Sequence, residues 1–362
     1  MEQPTKEFTV VTKKSNETIP YVMTSLDTKK ELSKWAEFCE LIFSYKPNPP
    51  SSQYFERHVQ NDPLPTWIRV ILSDNNNFAA SVQTCQRRIS TASSTDVSSY
   101  YSSGGIANVV TCPNHRQRGL VKNLLQDSQD TIMIPNAMDC SLLHCSPTLI
   151  PVYQSGGYTS VTTPWTRIPV SLDDLLPPTN THYTIRRAEF PKDTTQLQTL
   201  HQRFSEQKYV GCIIRSIDYW NQYIANEIGD KLYVLTSNEN MILAWMAIGK
   251  KGSIYKLLDF GMDTSSSLLS LSNAMGYLLH HSLQQQQQGE KDNNNSISVS
   301  IPTSIWEQVK DASWILKNDD NAIIPDDDEG WMYKMINPNI PSMMNLVSEK
   351  GKVHLIWPAD SF

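Results

Sequence analysis

GGIANVVT (104–111) runs into CPNHRQRG (112–119) and then LVK (120–122), and the reading of the whole chain turns on this stretch. The first block is short, apolar and rich in β-branched residues, as a strand is. A polar turn containing Pro113 stops it. Leu120, Val121, Leu124 and Leu125 then recur on one face of a helix running to about Ile132. The first turn of a helix has unpaired N–H groups and a partial positive charge. Gly119 lets a ligand approach the backbone closely, and Arg116 and Arg118 add charge. Strand, turn and helix together make an anion cradle suited to a pyrophosphate. It is not a Walker loop, because no Lys-Ser/Thr follows its glycine. It is not a dinucleotide fingerprint either, because it has one glycine where that fingerprint needs three.

Upstream, residues 8–12 read as a strand. Residues 29–44 carry Leu32, Trp35, Ala36, Phe38, Cys39, Leu41 and Ile42 at close to a 3.6 period, which predicts an amphipathic helix. The prolines at 47, 49 and 50 forbid its continuation. A short helix is expected over 52–60 and a hairpin over 67–86 around Asp74 to Asn77. The Ser-rich stretch 89–103 reads as a loop. Downstream, Met138 to His144 is a strand, Pro147 to Ser155 a helix ended by Gly156-Gly157, and 158–161 and 167–170 are strands.

A linker is expected over 173–182, centred on Pro177-Pro178. It divides the chain into a unit of residues 1–172 and a second of residues 183–362. The second unit repeats the order of the first loosely: strand 183–187, helices 193–207 and 218–227, a hairpin over 231–249, strand 255–260, helix 268–283. The polar tracts at 284–288 and 293–295 read as a surface insertion. Asp326-Asp327-Asp328-Glu329 reads as an acidic loop, and 353–357 as a strand.

The 362 residues fit two medium domains. Net charge is −6 and pI about 5.8, which argues against a dedicated nucleic-acid binder. There is no run of ~18 apolar residues to span a membrane, and MEQPTKEFTVV does not read as a secretory leader. A cytoplasmic protein is expected. The six cysteines form no CxxC pair and read as buried thiols, and the eight scattered histidines show no ligand spacing, so no metal is expected.

Arg116-x-x-Gly119-x-Val121 resembles the acetyl-CoA motif of the GNAT superfamily of N-acetyltransferases, Q/R-x-x-G-x-G/A, with Val121 where the family prefers a small residue. The preceding VVT, the helix–strand–helix that follows, and Pro-Val-Tyr153-Gln-Ser-Gly-Gly157-Tyr158 resemble the Eis-like (enhanced intracellular survival) branch, whose members carry two tandem GNAT-like units. The resemblance is specific over about 104–165. It implies an α/β (α+β) fold of two tandem GNAT-like acyl-CoA N-acyltransferase units, each a mixed, mostly antiparallel sheet flanked by helices. The second unit has no second Arg-x-x-Gly and reads as degenerate. The chain lacks the length for the sterol-carrier-like third domain of bacterial members. The resemblance further implies acetyl-CoA as cofactor, a small-molecule or peptide amine as acceptor, and a homo-oligomer.

Carried over residue by residue, it places Val109, Val110, Thr111, Arg116, Gln117, Arg118, Gly119, Leu120, Val121 and Lys122 on acetyl-CoA. Tyr153 is the general acid for the departing thiolate, with Tyr158 the competing candidate. In the Eis-like branch the chain's C-terminal carboxylate acts as base, which here is that of Phe362; His115 is a further candidate. Glu37, Glu40 and Glu56 either draw a cationic amine or are ordinary helix-face carboxylates. Trp35, Phe38, Tyr54 and Phe55 either line the cleft or pack the core. The competing expectation is a non-catalytic acyl-CoA-binding or protein-interaction module that retains the fold. Removing Phe362, or extending the chain past it, is expected to lower turnover while leaving acetyl-CoA affinity unchanged. Unaltered turnover removes that carboxylate from the mechanism.

Overall fold

In the computed structural model the described residues are 5–11, 18–73, 76–92, 100–175, 183–265, 269–287, 296–316, 323–350 and 352–360. The first half contains β1 (Lys6–Val11), β2 (Thr18–Ser25), α1 (Thr28–Phe43), α2 (Ser52–Gln60), β3 (Thr66–Leu72), β4 (Phe78–Ser90), β5 (Tyr100–Thr111), α3 (Leu120–Ser128), β6 (Cys140–His144), α4 (Ile150–Gln154), β7 (Thr159–Ser160) and β8 (Trp165–Ser171). The second half continues with β9 (Tyr183–Arg187), α5 (Thr194–His201), α6 (Ala225–Ile228), β10 (Leu232–Ser237), β11 (Ile242–Lys251), β12 (Ile254–Met262), α7 (Leu271–Gln287), β13 (Ser296–Pro302), α8 (Thr303–Val309), β14 (Ile324–Pro325), β15 (Trp331–Met335) and α9 (Met343–Lys350). Single turns of π-helix extend α3 and α5 and precede α6.

Two mixed sheets result, ordered β1-β2-β3-β4-β5-β6-β15-β7 and β14-β8-β13-β12-β11-β10-β9. Each contains one parallel pair closed by a helical crossover, β5–α3–β6 and β12–α7–β13. Each sheet also takes a strand from the other half of the chain. β15 pairs antiparallel with β6 and β7, while β8 pairs antiparallel with β13 and β14. The strands thus cross the division expected near residue 173. Of the expected linker, residues 176–182 lie outside the described residues.

The local reasons for these elements are ordinary. Asp27 caps α1, accepting the Lys29 N–H at 3.1 Å, and Ser51 caps α2, accepting the Tyr54 N–H at 3.3 Å. Trp35, Ala36 and Cys39 supply the buried stripe of α1. Along β3, Ile68 and Val70 face the core under α1 and α2, and Ile71 faces the core under α3 and α4. The α3 helix is tied to the sheet from beneath: Asp127 accepts from Arg69 at 2.6 Å and from Lys6 at 2.7 Å, both at its buried carboxylate.

Three sequence expectations are corrected. The Ser-rich stretch is in part strand, because Ile89 and Ser90 pair with Tyr101 and Tyr100, and Arg87 and Arg88 with Ser103 and Ser102. The ladder with β4 satisfies their backbone groups whatever the side chains are. Gln284–Gln287 are the end of α7, with the Gln286 amide donating to the Ile248 carbonyl at 3.1 Å; glutamine is a good helix former once a preceding helix supplies the nucleus. Asn293 to Asn295 lie outside the described residues. The acidic run is a loop, as expected, and three of its carboxylates are partnered: Asp326 with Arg167, Asp327 with the Trp165 N–H, Asp328 with His144. Val353 to Trp357 forms no strand and has one bridge, Val210 to His354.

The end of the described chain is anchored by charge. The buried Arg215 donates to both oxygens of Asp360, at 2.9 and 2.7 Å, and to Asp259 at 2.6 Å, beneath the Trp220 ring. Removing the cation leaves two buried carboxylates without compensation. Arg215→Leu is expected to cost about 3–5 kcal/mol of stability in urea denaturation. An unchanged midpoint would show that the anchor contributes nothing.

Candidate active site

Where β5 leaves β6, the first sheet opens. The parallel pairing covers only Ser103–Ile106 against Cys140–Leu143. Just beyond it β5 bulges. Gln83 faces Ala107 but Ser81 faces Val110, and Asn108, at φ 46°, takes the strained place, its side-chain amide donating to Gln83 Oε1 at 2.6 Å. A bulge bends its strand and adds twist. The extra residue also inverts the alternation. Ile106 and Val109 face the core under α3 and α4, whereas Val110 faces the core under α1 and α2. Cys112 donates its N–H to Ala79 at 2.9 Å, so the alternation of the ladder turns the Thr111 amide toward the side from which β6 has diverged.

The divergence opens a cavity of about 620 Å³. Ala107, Asn108 and Val109 form one edge of the split, and Leu143, His144, Cys145 and Ser146 the other. One end is walled by Leu149 and Tyr153, the other by Phe43, Tyr45, Lys46, Tyr54, Phe55 and His58 from the region of α1 and α2. The opening therefore connects the α3–α4 face of the sheet with the α1–α2 face.

Tyr153 is 7% exposed, and among the described residues its hydroxyl meets no hydrogen-bond partner. Burial, with Cys145 nearby, pushes its pKa up to about 12. It therefore keeps its proton through the neutral range. Tyr158 is different: its hydroxyl is buried against Ser141 Oγ at 2.7 Å and does not line the cavity. The two rings meet edge to face at 6.0 Å.

The turn expected to cradle an anion lies at the α3 end of the same face. Gln117 and Gly119 both have positive φ, 61° and 73°. Gly119 is the N-cap of α3 and supplies no side chain to occupy the first-turn amides. A Cβ at Gly119 meets nothing within 4 Å. Arg116 is exposed, and Arg118 is turned back onto β2, donating to the Tyr21 hydroxyl at 2.6 Å. Leu120 is buried in the core, so only its backbone faces the cradle, and the Val110 side chain is likewise core. Val121 and Lys122 line a second cavity of about 240 Å³, between α3 and α4, with Leu125, Gln126, Val152 and Lys334.

Several expectations divide here. Tyr54 and Phe55 line the first cavity, whereas Trp35 donates to Ser81 Oγ in the core and Phe38 packs on Phe78. Glu37, Glu40 and Glu56 lie away from the lining. His115 is paired with the Tyr21 hydroxyl at 2.8 Å, away from the split. Phe362 lies outside the described residues. The sequence reading missed His144, His58, Asp328 and Lys334. His58 is buried beside Glu227 at 3.0 Å, and His144 lies 2.8 Å from Asp328. Their partners are far away in sequence, and no spacing rule joins residues 144 and 328. Among the described residues no group of three His, Cys, Asp or Glu side chains is placed to hold a metal ion, and no helix is long and apolar enough to cross a membrane.

Residues 25–161 match the family model described as an acetyltransferase (GNAT) domain. No curated protein matches the sequence. Among solved structures, a probable N-acyltransferase from Enterococcus faecalis superposes with a TM-score of 0.58 at 13% identity, over 92% of this chain and 73% of that one. Eis1 from Mycobacterium abscessus gives 0.54 at 12% identity, over 87% and 73%. The N-myristoyltransferase of Saccharomyces cerevisiae with bound myristoyl-CoA gives 0.54 at 10% identity, over 88% and 82%. The family likeness is confined to residues 25–161, and nearly the whole length of the chain shares a fold with these structures. A tryptophan at Gly119 would project from the cradle, at a strain cost of about 1–2 kcal/mol for a left-handed non-glycine residue. Gly119→Trp is expected to stay folded and to abolish acetyl-CoA binding in calorimetry. Unchanged affinity would place the cofactor elsewhere.

Proposed function

We propose that this GNAT-domain chain is an N-acetyltransferase that moves an acetyl group from acetyl-CoA to a primary amine by direct attack on the thioester. The observation that carries the reading is the split between β5 and β6, with Tyr153 at its α4 side and the α3 cradle on the same face. The pyrophosphate lies on the first-turn amides of α3, with Arg116, Gln117 and Lys122 at its rim and Arg118 behind. The pantetheine passes between α3 and α4 along Val121, and its amides pair with the backbone of Val109 to Thr111 in place of the missing strand partner. Lys334, which reaches the α3–α4 groove from β15, adds a cation to the same ligand. The amine enters from the α1–α2 face. Amine and thioester therefore meet inside the sheet from opposite sides, which fixes their approach.

The step is balanced by two proton movements. The amine nitrogen bonds to the carbonyl carbon, the C–S bond breaks, the Tyr153 hydroxyl protonates the thiolate, and the nitrogen gives up a proton. For that proton the family resemblance implies the Phe362 carboxylate as acceptor, and the truncation above tests it. Acetyl is preferred to a long acyl chain on the sequence motif, and the likeness to a myristoyl-CoA-bound structure concerns fold alone.

The test is acetyl-CoA consumption across polyamines, lysine, aminoglycosides, histone-tail peptides and arylamines, with myristoyl-CoA as the competing donor. Tyr153→Phe is expected to lower kcat by about 10²-fold or more while acetyl-CoA affinity is unchanged. Binding of acetyl-CoA with no turnover on any amine would leave a non-catalytic acyl-CoA-binding module.

A further inference from the structure

His144 is the last residue of β6, at the mouth of the split. Leu143 and Cys145 pack in the core that contains Tyr153, and Leu142 packs in the core on the opposite side of the sheet. Strand alternation therefore sends His144 to the face opposite Tyr153, the face of α1 and α2. Its side chain is 44% exposed. The ring packs on Trp331, its partner in the ladder, with centroids 4.9 Å apart.

Nε2 of His144 lies 2.8 and 3.0 Å from the two oxygens of Asp328. An ionised carboxylate only accepts hydrogen bonds, so Nε2 carries the hydrogen and Nδ1 holds a lone pair. Among the described residues Nδ1 has no hydrogen-bond partner. Asp328 is itself fixed. Its backbone exchanges two 2.9 Å hydrogen bonds with Thr163, and its Oδ1 accepts the Gly330 N–H at 3.0 Å. Burial alone would raise its pKa, but His144, the Gly330 N–H and Lys256 together hold it below the ordinary carboxylate value. Gly330 keeps the turn close: a Cβ there would lie 2.7 Å from His144 Nε2 and would collide with the Cys145 carbonyl.

His58, the other histidine of the cavity, is not equivalent. It is 6% exposed, its Nε2 lies 3.0 Å from Glu227 without hydrogen-bond geometry, its Nδ1 faces the Tyr223 hydroxyl at 3.5 Å, and its ring lies against Tyr54. The remaining titratable groups of the cavity, Tyr45, Lys46, Tyr54, Cys145 and Tyr153, are not within hydrogen-bond distance of His144.

We infer that His144 is the proton acceptor for the attacking amine, through Nδ1, with Asp328 as the positioning residue that fixes its tautomer and stabilises the imidazolium. The inference rests on the acetyltransferase reading. As nitrogen bonds to the acetyl carbon, its proton passes to Nδ1, the charge is shared with Asp328 through Nε2–H, and the thiolate takes its proton from Tyr153 on the other face. Acid and base then stand on opposite sides of the sheet, each beside the reactant it serves. The sequence offers no clue to this pair, because Asp328 reaches β6 only through the ladder that β15 makes with it.

The experiment compares the full chain with His144→Gln and Asp328→Asn, using acetyl-CoA and the amine turned over fastest in the panel above, with hydroxylamine as a second acceptor that is already unprotonated at neutral pH. His144→Gln is expected to lower kcat about 10²–10⁴-fold on the amine, with acetyl-CoA affinity unchanged. The loss extends to hydroxylamine, whose nitrogen also gives up a proton as it bonds to the acetyl carbon. Asp328→Asn lowers kcat on the amine in the same direction, and Asp328→Glu restores part of it. A His144→Gln rate within about twofold of the parent on the amine overturns the inference. So does a variant series in which only removal of Phe362 abolishes turnover. If the parent protein consumes no acetyl-CoA with any acceptor, the acetyltransferase reading falls and this inference with it; if the parent is active and His144→Gln is too, the inference alone falls.

Discussion

The ladder between β6 and β15 is the interaction on which the rest depends. β6 cannot stay paired with β5 and also open a cavity beside it, so its other edge must be satisfied elsewhere. β15 does this, from Trp331↔His144 to Met335↔Cys140. With β6 held from that side, the bulge at Asn108 can carry β5 away without unravelling the sheet. The same ladder delivers Asp328 to the mouth of the split and Lys334 to the groove between α3 and α4. One strand thus supports the opening and furnishes it.

The first sheet is asymmetric in a way that suits two-substrate chemistry. Its α3–α4 face presents a helix N-terminus with open amides and a protonated tyrosine. Its α1–α2 face presents aromatic rings, an imidazole and a lysine. The bulge is what lets one strand serve both, since the residue it inserts switches which side chains face which layer.

The local elements were largely legible. Apolar spacing located α1, Pro47 its end, and the VVT–turn–LVxxLL pattern the strand, cradle and helix of the split. These are features in which neighbours in sequence decide the outcome. What was not legible depends on contacts between distant residues. The serines near 89–103 join strands because a partner strand is present, and three aspartates of the acidic run are partnered because β8 and β6 lie beside them. Tyr153 was readable as a cleft residue through its motif, and the structure separates it from Tyr158 by one hydrogen bond to Ser141. His144 was not readable, since its importance lies wholly in a neighbour 184 positions away.

The exchange of β8 and β15 makes the two halves hostages of one another. A chain severed between residues 175 and 183 would give a first piece whose β6 lacks its partner and a second whose β13 lacks β8. Both would carry a bare edge of backbone donors and acceptors, the surface that recruits other strands into aggregates. The second half is therefore not dispensable ballast. It cannot be trimmed away by deletion without dissolving the sheet on which α3 packs.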